Sequence, residues 1–169
     1  YADAQCDVVM SMFGLMFAAR PERVVSELAR VTRPGGRVAL ATWTRGGLIG
    51  QLLTTHVAYV TPPAGIPSPL LWDDEPVIRE RFDARQWDVT TTRRTLTFRY
   101  PFTPASTAEL FRTAYGPTVR TIEALNEKHG SDLAADLIEL WEMNQRPGAR
   151  GTEVDSEYLD VIAVRRGAS

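Results

Sequence analysis

Cys6-Asp7-Val8-Val9-Met10-Ser11-Met12-Phe13-Gly14, an amphipathic stretch over 21–31, and then Arg33-Pro34-Gly35-Gly36-Arg37-Val38-Ala39-Leu40-Ala41-Thr42 decide the fold. Residues 6–12 are a short apolar run of the kind found in a strand buried on both faces of a parallel sheet, and Gly14 stops it. Pro21 suits the first turn of a helix, and Val24, Leu28 and Val31 follow at i, i+4 and i+7 with charges on the other side. The turn from Arg33 to Gly36 ends that helix, and residues 37–42 form a second apolar strand. Strand, helix and strand in that order are half of a doubly wound α/β layout, so residues 6–12 and 37–42 are predicted to be adjacent and parallel.

Beyond this core, Gly46, Gly47 and Gly50 read as a flexible hinge, from which Ile49, Leu52, Leu53, Val57 and Val60 recur at helical spacing. Residues 61–69 are proline-rich and form a loop, after which Asp73 or Asp74 caps a short helix through Val77, Ile78 and Phe82. The threonine-rich segment 87–100, with Trp87, Val89, Leu96, Phe98 and Tyr100, favours a strand. Ser106-Thr-Ala-Glu109 matches a capping box, and Gly116-Pro117 ends that helix and starts another. Gly130 reads as the terminator of the second helix, with His129 in its last turn. Ser131 caps a third helix that carries Leu133, Leu137, Leu140 and Trp141 on one face. The chain thus reads as a single domain over 1–169. It has a strand-helix-strand core over 1–45, a hinge and variable helices over 46–86, a strand over 87–100, a helical insertion over 104–145 and a terminal strand over 154–165.

Residues 6–17, ending Phe13-Gly14-Leu15-Met16-Phe17, and then Glu27-Leu28-Ala29-Arg30-Val31-Thr32-Arg33-Pro34-Gly35-Gly36-Arg37, resemble the second half of a known family. These are the class I S-adenosylmethionine-dependent methyltransferases of the ubiquinone and menaquinone biosynthesis type (methyltransferase type 11-like). The resemblance is specific because strand, exit, helix and turn occur in order at the expected spacing. It implies an α/β chain forming the C-terminal half of a Rossmann-like seven-stranded methyltransferase sheet. Residues 6–12 and 37–42 would be its fourth and fifth strands, residues 87–100 the sixth and residues 154–165 the antiparallel seventh, with the helices of 104–145 inserted as a lid. It also implies S-adenosyl-L-methionine as cofactor and a small-molecule methyl acceptor. The family's glycine-rich loop after its first strand and the acidic residue after its second are not among these residues, and Gly46-Gly47 lacks the loop's spacing. With Tyr1 rather than Met at the start, the chain is expected to be a truncated domain, inactive alone. It is also expected to self-associate, as a dimer, through the strand edge that the missing half would cover.

Ser11, Met12 and Phe13 stand at the carboxyl end of the first strand, where ligands of open α/β sheets bind, and are the candidate cofactor contacts. The plainer alternative is a turn cap for Ser11 and core packing for Met12 and Phe13. Met16 and Phe17 are candidate substrate contacts, with core packing equally open. Trp43 has the same positional argument at the end of the second strand, and Tyr115 and Trp141 on the insertion are candidate lid aromatics that also suit holding those helices down. No residue is assigned a catalytic role. His56 is the one weak candidate for a base, but it falls on an apolar helical face with Leu52, Leu53 and Val60, where a hydrogen-bonded structural histidine fits better.

Composition bounds the rest. With 169 residues, 44% of them hydrophobic, the chain can bury a core without staples, and its single cysteine, Cys6, reads as an inert core thiol. A formal charge of −2, with both signs interspersed, gives no footprint for nucleic acid. No apolar run is long enough for a membrane span and no leader is visible, so a cytoplasmic location is expected. No histidine, cysteine or carboxylate cluster has metal-ligand spacing. Two rivals stand beside the methyltransferase. A nicotinamide-dependent oxidoreductase shares the strand-helix grammar but would need a Tyr-x-x-x-Lys pair, absent here. A noncatalytic fragment or interaction module would retain only the rear of the fold.

Overall fold

In the computed structural model, which describes residues 1–167, the elements follow in this order. They are β1 (Cys6–Met12), α1 (Pro21–Val31), β2 (Thr32–Trp43), α2 (Leu48–Tyr59), α3 (Glu75–Arg81), β3 (Trp87–Tyr100), α4 (Pro104–Ala114), α5 (Gly116–Glu123), α6 (Glu127–Asn144) and β4 (Thr152–Arg165). Short 3₁₀ turns lie at Leu15–Phe17 and Pro69–Trp72. The four strands form one sheet in the order β1-β2-β4-β3. β1 and β2 are parallel, with Val9 opposite Val38 and Met12 opposite Ala41, as the apolar runs predict. β4 is antiparallel to β2, with Leu40 opposite Val161 and Trp43 opposite Tyr158.

The Arg33-to-Gly36 turn is drawn into β2. Its pairing with β1 jumps from Cys6 opposite Thr32 to Val8 opposite Arg37, so the extra residues bulge out of the ladder. Gly35 there has a φ of 76°, and a Cβ on Gly36 would come within 2.9 Å of the carbonyl oxygens of Arg33 and Asp7. Glycine is required at both positions, for backbone conformation at the first and for close chain approach at the second.

The described residues fall into two compact units. The first comprises Tyr1–Thr44, Gly65–Arg94 and the chain from Tyr158 onward. Its core is built on Val38, Leu40, Leu159 and Val161 of the central strands. Trp72, Phe82 and Trp87 form an edge-to-face series, with ring centroids 6.5 and 5.5 Å apart. α1 buries Pro21, Val25 and Leu28 and leaves Val24 and Val31 half-buried, so its inner face is turned by one residue from the predicted stripe. Asp74 caps α3, its carboxylate accepting from the Val77 N–H, while Asp73 pairs with Arg93 at 3.1 Å.

β1 departs from the expectation of a strand buried on both faces. Val8, Met10 and Met12 are 48, 69 and 61% exposed, because they alternate along one face of β1 that no element among the described residues covers. Cys6 is half-buried rather than a core thiol for the same reason.

The second unit comprises Arg45–Ala64 and Thr95–Glu157. Leu48 and Leu52 of α2, Phe111 of α4, and Leu133, Leu137 and Trp141 of α6 are among its buried apolar residues. Two helix boundaries differ from the sequence reading. Thr103, not Ser106, caps α4, its hydroxyl accepting from the Ser106 N–H at 3.2 Å ahead of Pro104 in the first turn. α5 ends at Glu123, and Asn126 starts α6 by accepting from the His129 N–H at 3.0 Å. Gly130 therefore lies inside α6 and His129 in its first turn, because a side-chain cap three residues upstream outweighs the weak stop signal of one glycine. Gly47 is a packing residue rather than a free hinge. A Cβ there would lie 2.6 Å from the backbone N and O of Glu157.

Candidate functional site

The carboxyl end of β1 is shaped by a sharp reversal at Phe13, whose φ of 60° is in the left-handed region seldom adopted by bulky side chains. The reversal is held on two sides. The Phe13 N–H donates to the Ala41 carbonyl on β2 at 2.8 Å, and the Ser11 hydroxyl accepts from the Leu15 N–H at 3.0 Å, capping the following 3₁₀ turn. Phe13 is thereby laid flat on Trp43, with centroids 3.7 Å apart and planes within 6°. Tyr158 of β4, opposite Trp43 in the ladder, meets both rings edge-on at 5.6 and 6.4 Å. Three aromatic side chains from three neighbouring strands thus converge where an open α/β sheet binds its ligands. A left-handed phenylalanine costs about 1–2 kcal/mol, and such strain concentrates at functional positions.

The remaining candidates separate by location. Met12 is mostly exposed and Phe17 is 44% exposed, whereas Met16 is buried and packs in the core of the first unit. Tyr115, Trp141 and His56 belong to the second unit. Trp141 has no exposed surface and sits against Phe111 at 4.8 Å and Tyr100 at 6.1 Å, so it pins α4 to α6 and offers no face to a ligand. Tyr115 is half-buried beside Phe111, and burial pushes its phenol up to about 12. His56 is buried, with Nε2 3.0 Å from the Thr118 hydroxyl and Nδ1 without a partner. Desolvation lowers its pKa to about 4, which makes it a poor proton acceptor and supports a structural role. No group of three or more potential metal ligands gathers among the described residues.

Tyr158 is absent from the sequence-derived candidates. Its place beside Trp43 follows from the antiparallel register of β4, which a local pattern does not reveal.

The chain has counterparts among known proteins. The family model described as a methyltransferase domain matches residues 1–40, the stretch that contains β1, α1 and the start of β2. Rv1403c of Mycobacterium tuberculosis, named only as an uncharacterized protein, is 33% identical over 143 residues, covering 83% of this chain and 52% of the relative. Rv1405c of the same organism, also named as uncharacterized, is 28% identical over 169 residues and is covered to 60%. The chain spans about half the length of the curated relatives it matches. Among solved structures, the YcgJ protein of Bacillus subtilis superposes with a TM-score of 0.55 at 16% identity, covering 99% of this chain and 67% of that one. A Bacillus halodurans protein named as a candidate methyltransferase gives 0.54 at 13% identity, over 99% and 73% of the two chains. The likeness is thus one of sequence to a methyltransferase domain over residues 1–40, and beyond them one of fold, mixed α/β and Rossmann-like.

Proposed function

We propose that this chain forms the acceptor-side part of an enzyme that transfers a methyl group from S-adenosylmethionine to a small molecule. The observation that carries the reading is the strained, doubly anchored Phe13 stacked on Trp43 at the carboxyl ends of β1 and β2. An aromatic wall there fits a sulfonium cofactor, because ring faces attract a cation and the apolar rings keep water away from it next to an apolar acceptor. When bound, the cofactor supplies a methyl on a positively charged sulfur, already activated for displacement. The chain's own task is then to align, to exclude water and to keep the acceptor's nucleophilic atom in line. Phe13 and Trp43 do this by shape, Ser11 by fixing the turn that places Phe13. No general base is required for a carbon or amine acceptor, and His56 takes no part.

The glycine-rich loop that would hold the methionine end of the cofactor is not among the 169 residues. We therefore place cofactor affinity in the chain extended to its relatives' length and not in these residues alone. Calorimetric titration with S-adenosylmethionine checks this directly. The extended protein is expected to bind at micromolar concentration, the 169 residues at least tenfold more weakly, about 1.4 kcal/mol, and Phe13→Ala in the extended protein to lose a comparable amount. Failure of the extended protein to bind, or full affinity in Phe13→Ala, sinks the assignment.

A cytoplasmic location and no nucleic-acid partner belong to the same proposal, the second because the near-balanced, interspersed charge offers no basic face. No helix of the described residues is long and apolar enough to cross a membrane. Self-association through β1 also belongs to it, since Val8, Met10 and Met12 stand exposed on an edge strand.

A further inference from the structure

Arg81, the last residue of α3, lies on a cleft of about 560 Å³ in the first unit, lined also by Glu22, Val25 and Ser26 of α1 and by Glu80 and Trp87. None of the residues that line this cleft belongs to the Ser11, Phe13, Trp43 and Tyr158 group. The Arg81 guanidinium rests over the Trp72 ring at 4.3 Å, and its Nη1 is buried without a hydrogen-bond partner. Glu22 and Glu80 face it electrostatically, yet neither carboxylate comes within 4.0 Å of it. The loss of hydration at Arg81 outweighs their attraction, so its pKa falls below the ordinary value. The third carboxylate of the cleft is occupied elsewhere. Asp83 accepts from the Arg85 N–H at 2.9 Å and pairs with the Arg85 side chain.

This is an unusual arrangement. Arginine in a partly buried setting is normally paired, because its fork of donors leaves costly vacancies when no acceptor is present. Here the acceptors stand across a gap from the donor. A simple anion entering the gap would satisfy Arg81 and be repelled by two glutamates. A simple cation would satisfy the glutamates and leave Arg81 as it is. A molecule with both charges on neighbouring atoms meets both demands, and Ala29 and Val77, half-buried in the cleft's lining, give an apolar surface beside them.

We propose that the cleft between α1 and α3 binds a small zwitterion of the α-amino-acid class, with its carboxylate on Arg81, its ammonium towards Glu22 and Glu80, and an apolar side chain against Ala29 and Val77. The site is separate from methyl transfer and does not depend on it.

Three matched probes test the claim on this chain by calorimetric titration: L-leucine, 4-methylpentanoate and 3-methylbutylamine, which share a side chain and carry both charges, the anion alone and the cation alone. Leucine should bind at least tenfold tighter than either single-charge probe, and Arg81→Gln should cost leucine at least tenfold, each about 1.4 kcal/mol. Proton–nitrogen spectra of the unsubstituted chain provide a readout independent of any variant. Leucine should shift the Trp87 indole and the Arg81 guanidinium resonances and leave the Trp43 indole in place. Equal binding of leucine and 4-methylpentanoate, shifts centred on Trp43, or no saturation by leucine at millimolar concentration overturns the proposal. So does undiminished leucine affinity in an Arg81→Gln chain whose circular dichroism is unchanged.

Discussion

Phe13 combines a backbone penalty with a side-chain gain, and the two can be separated by substitution. Alanine at this position keeps the left-handed φ of 60° and loses the stack on Trp43, while glycine loses the stack and relieves the backbone. Phe13→Gly should therefore be more stable than Phe13→Ala by about 1 kcal/mol in urea unfolding, although both lose the aromatic contact. Equal stabilities would mean that the backbone is not strained there. His56 makes a second residue-level prediction. Its folded pKa of about 4 is below the ordinary 6.5, so above pH 6.5 it is neutral in both states and costs nothing. As pH falls from 6.5 towards 4, the unfolded chain takes up the proton first, and stability on the order of 3 kcal/mol is lost across that window. His56→Gln, which can still pair with the Thr118 hydroxyl, should remove this part of the slope when unfolding midpoints at the two ends of the window are compared. A slope that survives the substitution would assign acid sensitivity to other groups.

At the scale of elements, the start of α2 shows how one missing side chain sets a junction. Gly47 is the residue before the helix and lies against the Glu157 backbone, and the Ile49 N–H beside it donates to the buried Ser156 hydroxyl at 3.1 Å. Gly47→Ala has to push backbone against backbone and is expected to cost about 1–3 kcal/mol. Gly46 has nothing within 4 Å of a built Cβ, so Gly46→Ala should be neutral within about 0.5 kcal/mol or slightly stabilising. Thermal unfolding of the two variants side by side checks the contrast. Near-identical midpoints would mean that α2 adjusts freely, as a hinge would.

For the molecule as a whole, the sheet edge is the feature with consequences. β1 has β2 on one side, and its other edge carries unpaired backbone groups beside Val8, Met10 and Met12. Two copies related by a twofold axis can pair these edges and cover the methionines together. Sedimentation velocity of this chain should show a dimer whose fraction rises with concentration, and Met10→Lys should return it to monomer by placing a charge in the pairing surface. A monomer at every concentration, or a dimer indifferent to Met10→Lys, removes β1 from the interface.

The sequence by itself determined the parallel pair of β1 and β2, the helix between them and the buried face of α6. Each of these rests on a local rule: a run of apolar residues, a proline in a first helical turn, or leucines at helical spacing. It also placed Ser11, Phe13 and Trp43 at strand ends, which is a matter of counting along the chain. Only the tertiary structure decided that Phe13 lies on Trp43, that Tyr158 completes the aromatic group and that Val8, Met10 and Met12 stand exposed on β1. Those facts depend on register and strand order, which link Phe13 to Trp43 across 30 positions and Trp43 to Tyr158 across 115. The same holds for Arg81. In the sequence it is one charge among many on a short helix, and its lack of a partner is visible only when the position of every neighbouring carboxylate is known.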